Sequence, residues 1–150
     1  MYSVRSVQPS DSQAWLEMRS EFWRDGSVSE HAAEIEAFLS GASTEPAAVL
    51  VAENGALGLE GFAELSIRPC AEGCRTSRVG YLEGWYVRPE SRGRGIGRAL
   101  VQAAEKWARS QGCSEFASDA RAGNEASIAA HLALGFSDAG LIRCFRKDLE

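Results

Sequence analysis

The sequence lacks the features that mark a membrane protein or a nucleic-acid-binding protein. No stretch approaches the roughly 18 consecutive apolar residues of a membrane-spanning helix, and the start, Met1 to Ser6, has no apolar run of signal-peptide length. The formal net charge of -5 at pH 7 would repel the phosphates of a nucleic acid. We therefore expect a cytoplasmic protein with no membrane and no nucleic-acid partner, and the acidic balance weakly favours a cationic substrate.

Closely spaced metal ligands are also missing. The chain has four cysteines, of which only Cys70 and Cys74 are near each other, and it has no C-x-x-C pair. The two histidines, His31 and His131, are far apart and have no partner at ligand spacing. Free thiols in a reducing compartment explain this spacing better than a zinc site or two disulfides, so we expect no metal.

Hydrophobic periodicity predicts one mixed α/β domain. With 150 residues, the chain is long enough for one core and too short for two ordinary domains. The pattern predicts strands over 2–8, 47–53, 58–67, 79–87, 115–119 and 141–149, and helices over 11–23, 29–39, 95–111 and 123–134. The pair Asn54-Gly55 predicts a hairpin between the second and third strands. Residues 68–77 have no periodicity and are expected to form an exposed loop.

The strongest local signal is the glycine turn, Arg92-Gly93-Arg94-Gly95-Ile96-Gly97-Arg98, between the fourth strand and the most regular helix. Glycines in alternate positions let consecutive backbone N–H groups point into one concavity at a helix start, where a diphosphate can bind. A P-loop would need Lys and Ser or Thr after the last glycine, and a Rossmann motif would need G-x-G-x-x-G. Neither fits, and a turn that binds nothing would leave the three arginines without a purpose.

The glycine turn matches the pattern Q/R-x-x-G-x-G/A and resembles the acyl-CoA loop of the GNAT superfamily of N-acyltransferases. The order of the predicted elements is also similar to the GNAT fold over nearly the whole chain, including N-x-x-S-x-x-x-H-x-x-L-G-F from Asn124. Shorter segments resemble the aminoglycoside 6'-N-acetyltransferases: Phe22-Trp23, Ser66-Ile67-Arg68, Leu82-Glu83-Gly84, Ala117-Ser118-Asp119 and Leu134-Gly135-Phe136.

This resemblance implies an α/β fold in which residues 1–150 form a single GNAT domain. The sheet is expected to be mixed and mostly antiparallel, with splayed central strands and about four flanking helices. Acetyl-CoA is the implied co-substrate, and its pantetheine arm would pair with the edge exposed where the fourth and fifth strands separate. The implied cofactor-binding residues are Trp85, Tyr86, Val87, Arg92, Gly93, Arg94, Gly95, Ile96, Gly97, Arg98 and Asn124. The backbone N–H of Val87 is the implied donor to the oxyanion.

The resemblance also implies how the substrate amine is bound. A primary ammonium with a pKa of about 10 must lose a proton before it attacks a thioester. Glu83 and Asp119 are the implied catalytic and substrate-binding pair, because carboxylates can hold the ammonium and accept its proton. Trp23 is the implied aromatic wall of the substrate slot, with core packing as its alternative. His131 stands where the family commonly has a tyrosine general acid, and both a catalytic histidine and one that only packs beside the ligand remain open.

The expected function is transfer of the acetyl group of acetyl-CoA to the 6'-amino group of an aminoglycoside antibiotic, by direct attack of the amine. Glu72 and Asp138 are further candidate acids for such a polycation. The segment after Arg68 departs from the resembling family, which often has an aromatic residue and an acid there. Two alternatives stay open: acetylation of a peptide, protein or polyamine amine, and an acyl-CoA-binding sensor without catalysis. A homodimer is expected because dimers are common among the resembling enzymes.

Overall fold

The computed structural model describes residues 2–150, in which one five-stranded sheet is flanked by four α-helices. The strands are β1 (Tyr2–Ser6), β2 (Ala48–Asn54), β3 (Gly58–Arg68), β4 (Val79–Val87) and β5 (Glu115–Ser118). The helices are α1 (Ser12–Phe22), α2 (Val28–Leu39), α3 (Ile96–Ser110) and α4 (Glu125–Ala133). No helix among these residues is long and apolar enough to cross a membrane.

The strands follow one another across the sheet in sequence order. The pairs β1–β2, β2–β3 and β3–β4 are antiparallel, and β4–β5 is parallel because α3 crosses over between them. The predicted mixed, mostly antiparallel sheet is therefore confirmed.

Two apolar layers cover the two faces of the sheet. On one face, Leu100 and Ala104 of α3 pack on Leu65 and Leu82, all almost completely buried. On the other face, Trp15 and Met18 of α1 and Ile35 of α2 pack on strand residues that include Val51, Phe62 and Tyr86. Successive strand residues point to opposite faces, so one strand contributes to both layers. Together the layers make β3 and β4 the rigid centre of the molecule.

The strands β4 and β5 separate half-way along β4. Their pairing runs from Val79 and Glu115 to Leu82 and Ser118, where β5 ends, while β4 continues to Val87. The predicted splay is thus present, and residues 83–87 of β4 have β3 as a neighbour on one side only.

A β-bulge lies at the same point and was not predicted. Leu82 and Gly84 pair with the consecutive residues Leu65 and Glu64, so Glu83 is one extra residue in β4. A bulge turns the side chain of its extra residue away from the regular alternation. It therefore sets the direction of Glu83 just where β4 leaves β5.

The predicted sixth strand, over 141–149, is wrong. Residues 137–150, here called the C-terminal arm, form neither helix nor strand. Four of its apolar side chains are largely exposed: Leu141 (83%), Ile142 (66%), Phe145 (89%) and Leu149 (86%). The alternating pattern is correct for a strand, but a strand also needs a partner edge, and the arm pairs with none within residues 2–150.

The other predicted boundaries agree with the structure to within a few residues. The hairpin after Asn54 is real, with a three-residue connection in which the Leu57 N–H donates to the Asn54 carbonyl (2.9 Å). Gly58, and not Gly55, adopts positive φ (80°) there. The predicted loop over 68–77 contains neither helix nor strand beyond Arg68.

Candidate active site

A cleft of about 520 Å³ opens where β4 leaves β5, between the free edge of β4, the glycine turn and the start of α4. Eight of the predicted cofactor-binding residues line it: Trp85, Tyr86, Val87, Arg92, Gly93, Ile96, Gly97 and Asn124. The other three, Arg94, Gly95 and Arg98, are exposed residues of the glycine turn that do not line the cleft. Glu21 and Phe22 at the end of α1, and Arg24 just beyond it, also line the cleft, and none of them was predicted to bind the cofactor.

The glycine turn has the backbone that its sequence predicts. Gly93 and Gly95 adopt left-handed φ values of 79° and 86°, and α3 begins directly afterwards. None of the N–H groups of Gly95, Ile96, Gly97 and Arg98 donates to an acceptor within residues 2–150. The start of α3 therefore presents free donors together with the positive end of the helix dipole.

Trp85 connects β4 to this turn. Its Nε1 donates to the Gly97 carbonyl (3.1 Å), and a Cβ added at Gly97 would come within 3.2 Å of the indole. Arg92 connects the turn to the end of β4, because its Nε donates to the Val87 carbonyl (2.7 Å). Four free N–H groups, a helix N-terminus and three arginines, with no acid in the turn, fit the diphosphate of coenzyme A.

The backbone of β4 offers donors to the cleft. The Arg88 N–H donates to the Glu60 carbonyl (2.8 Å), which fixes the alternation of the β3–β4 ladder. In an antiparallel pair, bonded and non-bonded residues alternate. The N–H and C=O groups of Trp85 and Val87 therefore point away from β3, towards the free edge, as a pantetheine arm would require.

Tyr86 points to the opposite face of the sheet from Trp85 and packs in the core around Phe62. Its hydroxyl donates to the carboxylate of Glu21. Burial, and then this hydrogen bond, raise the pKa of Tyr86 to about 12. It is therefore a neutral hydrogen-bond donor at physiological pH, and of the neighbours Trp85 and Tyr86 it is Tyr86 that packs around Phe62.

Glu83 is bound on both carboxylate oxygens. Arg68 donates from Nε to Oε2 (2.8 Å) and from Nη2 to Oε1 (2.7 Å), and the hydroxyl of Ser66 also donates to Oε2. Burial raises the pKa of the Glu83 carboxyl, but the hydrogen bonds from Arg68 and Ser66 outweigh it and hold the pKa below its usual value. Glu83 is therefore ionised and is a weaker base than an ordinary glutamate.

Asp119 belongs to the same cluster. The Tyr81 hydroxyl donates to its Oδ2 (2.6 Å), and the Arg68 guanidinium lies 3.5 Å from the centroid of the Tyr81 ring. Burial, and then the hydrogen bond to Asp119, raise the pKa of Tyr81. The two acids that the sequence analysis paired are thus brought together through Tyr81 and Arg68, which it had not assigned.

Trp23 forms a wall beside this cluster. Its ring lies directly on the backbone of β4, because a Cβ added at Gly84 would come within 2.6 Å of Cη2. The guanidinium of Arg19 lies 5.0 Å from the ring centroid, and His31 Nε2 is 2.9 Å from the Trp23 carbonyl oxygen. Arg19 is itself held by the buried carboxylate of Glu64 (2.8 Å). This network fixes the position of the indole, which is only partly buried.

His131 lies at the point where the strands separate. Its Nδ1 is 2.7 Å from the Ser127 carbonyl oxygen, which can only accept, so Nδ1 carries the proton. Nε2 lies 2.8 Å from the Ser118 hydroxyl oxygen. The ring also lies against Trp85 (5.2 Å between centroids). Both ring nitrogens have hydrogen-bond partners, and a role as general acid stays a prediction.

The remaining candidate acids lie on exposed segments. Glu72 and Asp138 are exposed, and their segments meet, because a Cβ added at Gly73 would come within 2.8 Å of Ala139. Arg121 reaches Asp25 (3.0 Å), so the segments that follow Asp119 and Trp23 also meet. Within residues 2–150, no three His, Cys, Asp or Glu side chains converge to hold a metal ion.

The cleft, the free strand edge and the glycine turn can be compared with known proteins. The model of the acetyltransferase (GNAT) family matches residues 13–136. The chain belongs to this family. The resemblance inferred from the glycine turn is thereby confirmed.

Similar proteins within the GNAT family act on aminoglycosides. An aminoglycoside N(6')-acetyltransferase type 1 from Klebsiella aerogenes is 56% identical over 146 residues, which cover 97% of this chain and 96% of the relative. The solved structure of the aminoglycoside N-acetyltransferase AAC(6')-Iy in complex with CoA has a TM-score of 0.91 at 31% identity, covering 99% of this chain and 96% of that one. The same enzyme with the bisubstrate analogue CoA-S-monomethyl-acetylneamine has a TM-score of 0.90 at 31% identity, covering 99% of each chain. The predicted similarity to aminoglycoside 6'-N-acetyltransferases is confirmed.

Sequence reasoning gave no role to Arg68, Tyr81 or Arg19, which contact the predicted site residues in the structure. Two signals were available: Ser66-Ile67-Arg68 is one of the segments that resemble the family, and Tyr81 lies two residues from Glu83, a spacing that places side chains on one face of a regular strand. No local signal pointed to Arg19, because its partner Glu64 is distant in the sequence.

Proposed function

We propose that this chain transfers the acetyl group of acetyl-CoA to the 6'-amino group of aminoglycoside antibiotics and so confers resistance to them. One observation carries the proposal. Two carboxylates, Glu83 and Asp119, do not line the cleft themselves but lie where β4 and β5 separate, the point at which the cleft opens. A polycationic amine is the substrate that such a cluster suits, and the curated relatives are named for this reaction.

The chain's own residues divide the work. The glycine turn binds the diphosphate, and the free edge of β4 orients the pantetheine arm. When bound, acetyl-CoA supplies the thioester carbonyl that the amine attacks. The Val87 N–H, directed to the free edge, stabilises negative charge on that carbonyl oxygen. Trp23 provides an aromatic face for a sugar ring.

We assign different tasks to the two acids. The ammonium must lose a proton before it attacks. Glu83 has a lowered pKa and is a weak base, so its task is to hold positive charge. Asp119 is exposed and has one neutral partner, the Tyr81 hydroxyl, so it accepts the proton directly or through a water.

A substrate panel tests the activity. The chain is incubated with acetyl-CoA and, separately, with a kanamycin-type aminoglycoside, a polyamine and a peptide with free amines, and the product is located by mass spectrometry and NMR. We expect acetylation of the aminoglycoside at its 6'-amine. Acetylation of only the polyamine or the peptide would assign the chain to the first alternative, and binding of CoA without turnover of any amine would make it a sensor.

We further propose a homodimer built by the C-terminal arm. The arm exposes four apolar side chains and has the alternation of a strand. β5 is the last strand of the sheet, so its outer edge is unpaired within residues 2–150. If the arm of one copy pairs with β5 of a second copy, its apolar side chains are covered and the outer edge of β5 gains a hydrogen-bonding partner.

The proposal includes a single domain over residues 1–150 and a cytoplasmic location. One sheet connects all the strands, and the two apolar layers share β2, β3 and β4. The four cysteines are free thiols, a state that a reducing compartment maintains.

A further inference from the structure

Glu83 already has a cation bound, and this cation belongs to the chain itself. Arg68 binds both carboxylate oxygens (2.7 and 2.8 Å), and Ser66 donates to one of them. A carboxylate has about four lone-pair positions, so these three donors use most of them. A substrate ammonium can bind Glu83 well only if one of the present donors leaves.

Arg68 is the partner that can leave. Ser66 is buried within β3 (3% exposed), so its hydroxyl is fixed. The Arg68 side chain is 42% exposed, and it is the last residue of β3, before a loop without helix or strand. Water can therefore solvate the guanidinium when it moves away.

The position that Arg68 occupies has the properties of an ammonium site. It is bounded by the Glu83 carboxylate and by the face of Tyr81, 3.5 Å from the guanidinium carbon. Asp119 lies next to it, at the Tyr81 hydroxyl (2.6 Å). A carboxylate and an aromatic face together bind alkylammonium groups as well as guanidinium.

We propose that Arg68 is an internal counter-ion that occupies the ammonium site, and that one ammonium group of the polycationic substrate displaces it on binding. This inference rests on the proposed function, because it names the residue with which the aminoglycoside competes. Arg68 keeps Glu83 paired when no substrate is bound. It also selects for polycations, since a substrate with several ammonium groups can replace Arg68 and still bind Asp119.

The test is the affinity of variants for a kanamycin-type aminoglycoside, measured by calorimetry and by steady-state kinetics. Arg68→Gln removes the competing cation, so we expect Kd and KM for the aminoglycoside to fall about fivefold. This change corresponds to the free energy of a partly exposed ion pair. The KM for acetyl-CoA should not change. Arg68→Lys keeps the charge but loses the two-pronged geometry, and we expect an intermediate fall.

The matched control is Arg78→Gln. It removes the same charge at the other end of the same loop, where Arg78 donates to the Gln111 carbonyl (2.7 Å). We expect little change in Kd. A fall as large as that of Arg68→Gln would mean that net charge, and not displacement, sets the affinity, and would overturn the inference.

The double variant Arg68→Gln/Glu83→Gln isolates the competition. If Arg68 competes for Glu83, its removal has no effect on Kd in the Glu83→Gln background. A persistent fivefold fall there, or weaker aminoglycoside binding by Arg68→Gln alone, would refute the inference. If the wild-type chain acetylates no aminoglycoside, the proposed function fails first. If the wild-type chain acetylates the aminoglycoside but Arg68→Gln leaves its Kd unchanged, the proposed function stands and only the displacement of Arg68 is rejected.

Discussion

At the scale of single residues, the two acids beside the splay differ in their surroundings. Glu83 is an extra residue in a bulge, partly buried, and bound by three donors. Asp119 is exposed just beyond β5 and accepts from one phenol. The same residue class therefore provides a fixed negative charge in one place and an available proton acceptor in the other.

This difference predicts distinct kinetic effects. Asp119→Asn should lower kcat for the aminoglycoside about 100-fold, a typical contribution of a general base to the reaction rate. Glu83→Gln should mainly raise KM, because it removes charge from the ammonium site. The Kd for acetyl-CoA, measured by calorimetry, should stay near wild type in both. Unchanged rates in both variants would exclude the acid pair from the reaction.

Asp11 carries a pH-dependent contribution to stability. Arg5 donates twice to its carboxylate (2.7 and 3.0 Å), and the Gln8 N–H donates once (2.7 Å). The hydrogen bonds from Arg5 hold the pKa of Asp11 below its usual value, although burial opposes them. A lowered folded-state pKa stabilises the fold above the unfolded value, about 3.9, and this contribution is lost as pH falls through the folded value.

We therefore expect Asp11→Asn to reduce the free energy of unfolding by about 1–3 kcal/mol at pH 7. In urea titrations the difference from wild type should shrink below about pH 4. Asp25→Asn, at an exposed pair with Arg121, is the control and should change little at any pH. A difference that persisted unchanged to pH 2 would contradict the assignment.

At the scale of elements, β4 and α3 together build the proposed cofactor site. β4 ends with a free edge, and the glycine turn leads it into the N-terminus of α3. The indole of Trp85 connects the two through the Gly97 carbonyl. The diphosphate donors and the pantetheine edge thus belong to two rigid elements that share one core.

Gly95 tests this arrangement. Gly95→Ala and Gly95→Asp both strain a left-handed position (φ 86°), but only aspartate adds a negative charge beside the diphosphate. We expect the Kd for acetyl-CoA to rise at least about tenfold more in Gly95→Asp than in Gly95→Ala, because like charges repel. Calorimetry with folded protein measures both. Equal Kd values for the two variants would show that no phosphate binds at this turn.

At the scale of the whole molecule, the C-terminal arm is the part whose apolar side chains the single chain does not bury. Its apolar residues are exposed, and the outer edge of β5 has no partner within residues 2–150. An exposed apolar segment beside an open sheet edge favours association with another chain.

Removal of residues 141–150 should therefore convert the protein from a dimer to a monomer. Light scattering after size-exclusion chromatography measures the mass, and Phe145→Asp should act in the same direction because it places a charge in the buried contact. Asp148→Asn, also in the arm, is the control and should remain dimeric. A wild-type chain that elutes as a monomer at micromolar concentration would exclude the arm-built dimer.

Local sequence was sufficient for most elements and for the backbone of the glycine turn. The apolar spacing of α3 and the alternation of β4 are set by neighbours a few residues away, so their bounds were predicted closely. The backbone of the glycine turn was predicted equally well, because glycine by itself readily adopts the positive φ seen at Gly93 and Gly95. The acid pair was only partly accessible to sequence reasoning, since Glu83 and Asp119 were predicted together but their partners Arg68 and Tyr81 were given no role.

The sequence by itself determined the order of the elements, the free donors at the start of α3 and the family to which the chain belongs, because these depend on local periodicity and on glycine conformation. Only the tertiary structure decided the bulge at Glu83, the pairing of Glu83 with Arg68 and the unpaired C-terminal arm. Each depends on the register between strands or on the presence of an edge to pair with. Such relations join residues that are distant in the chain, and no local pattern encodes them.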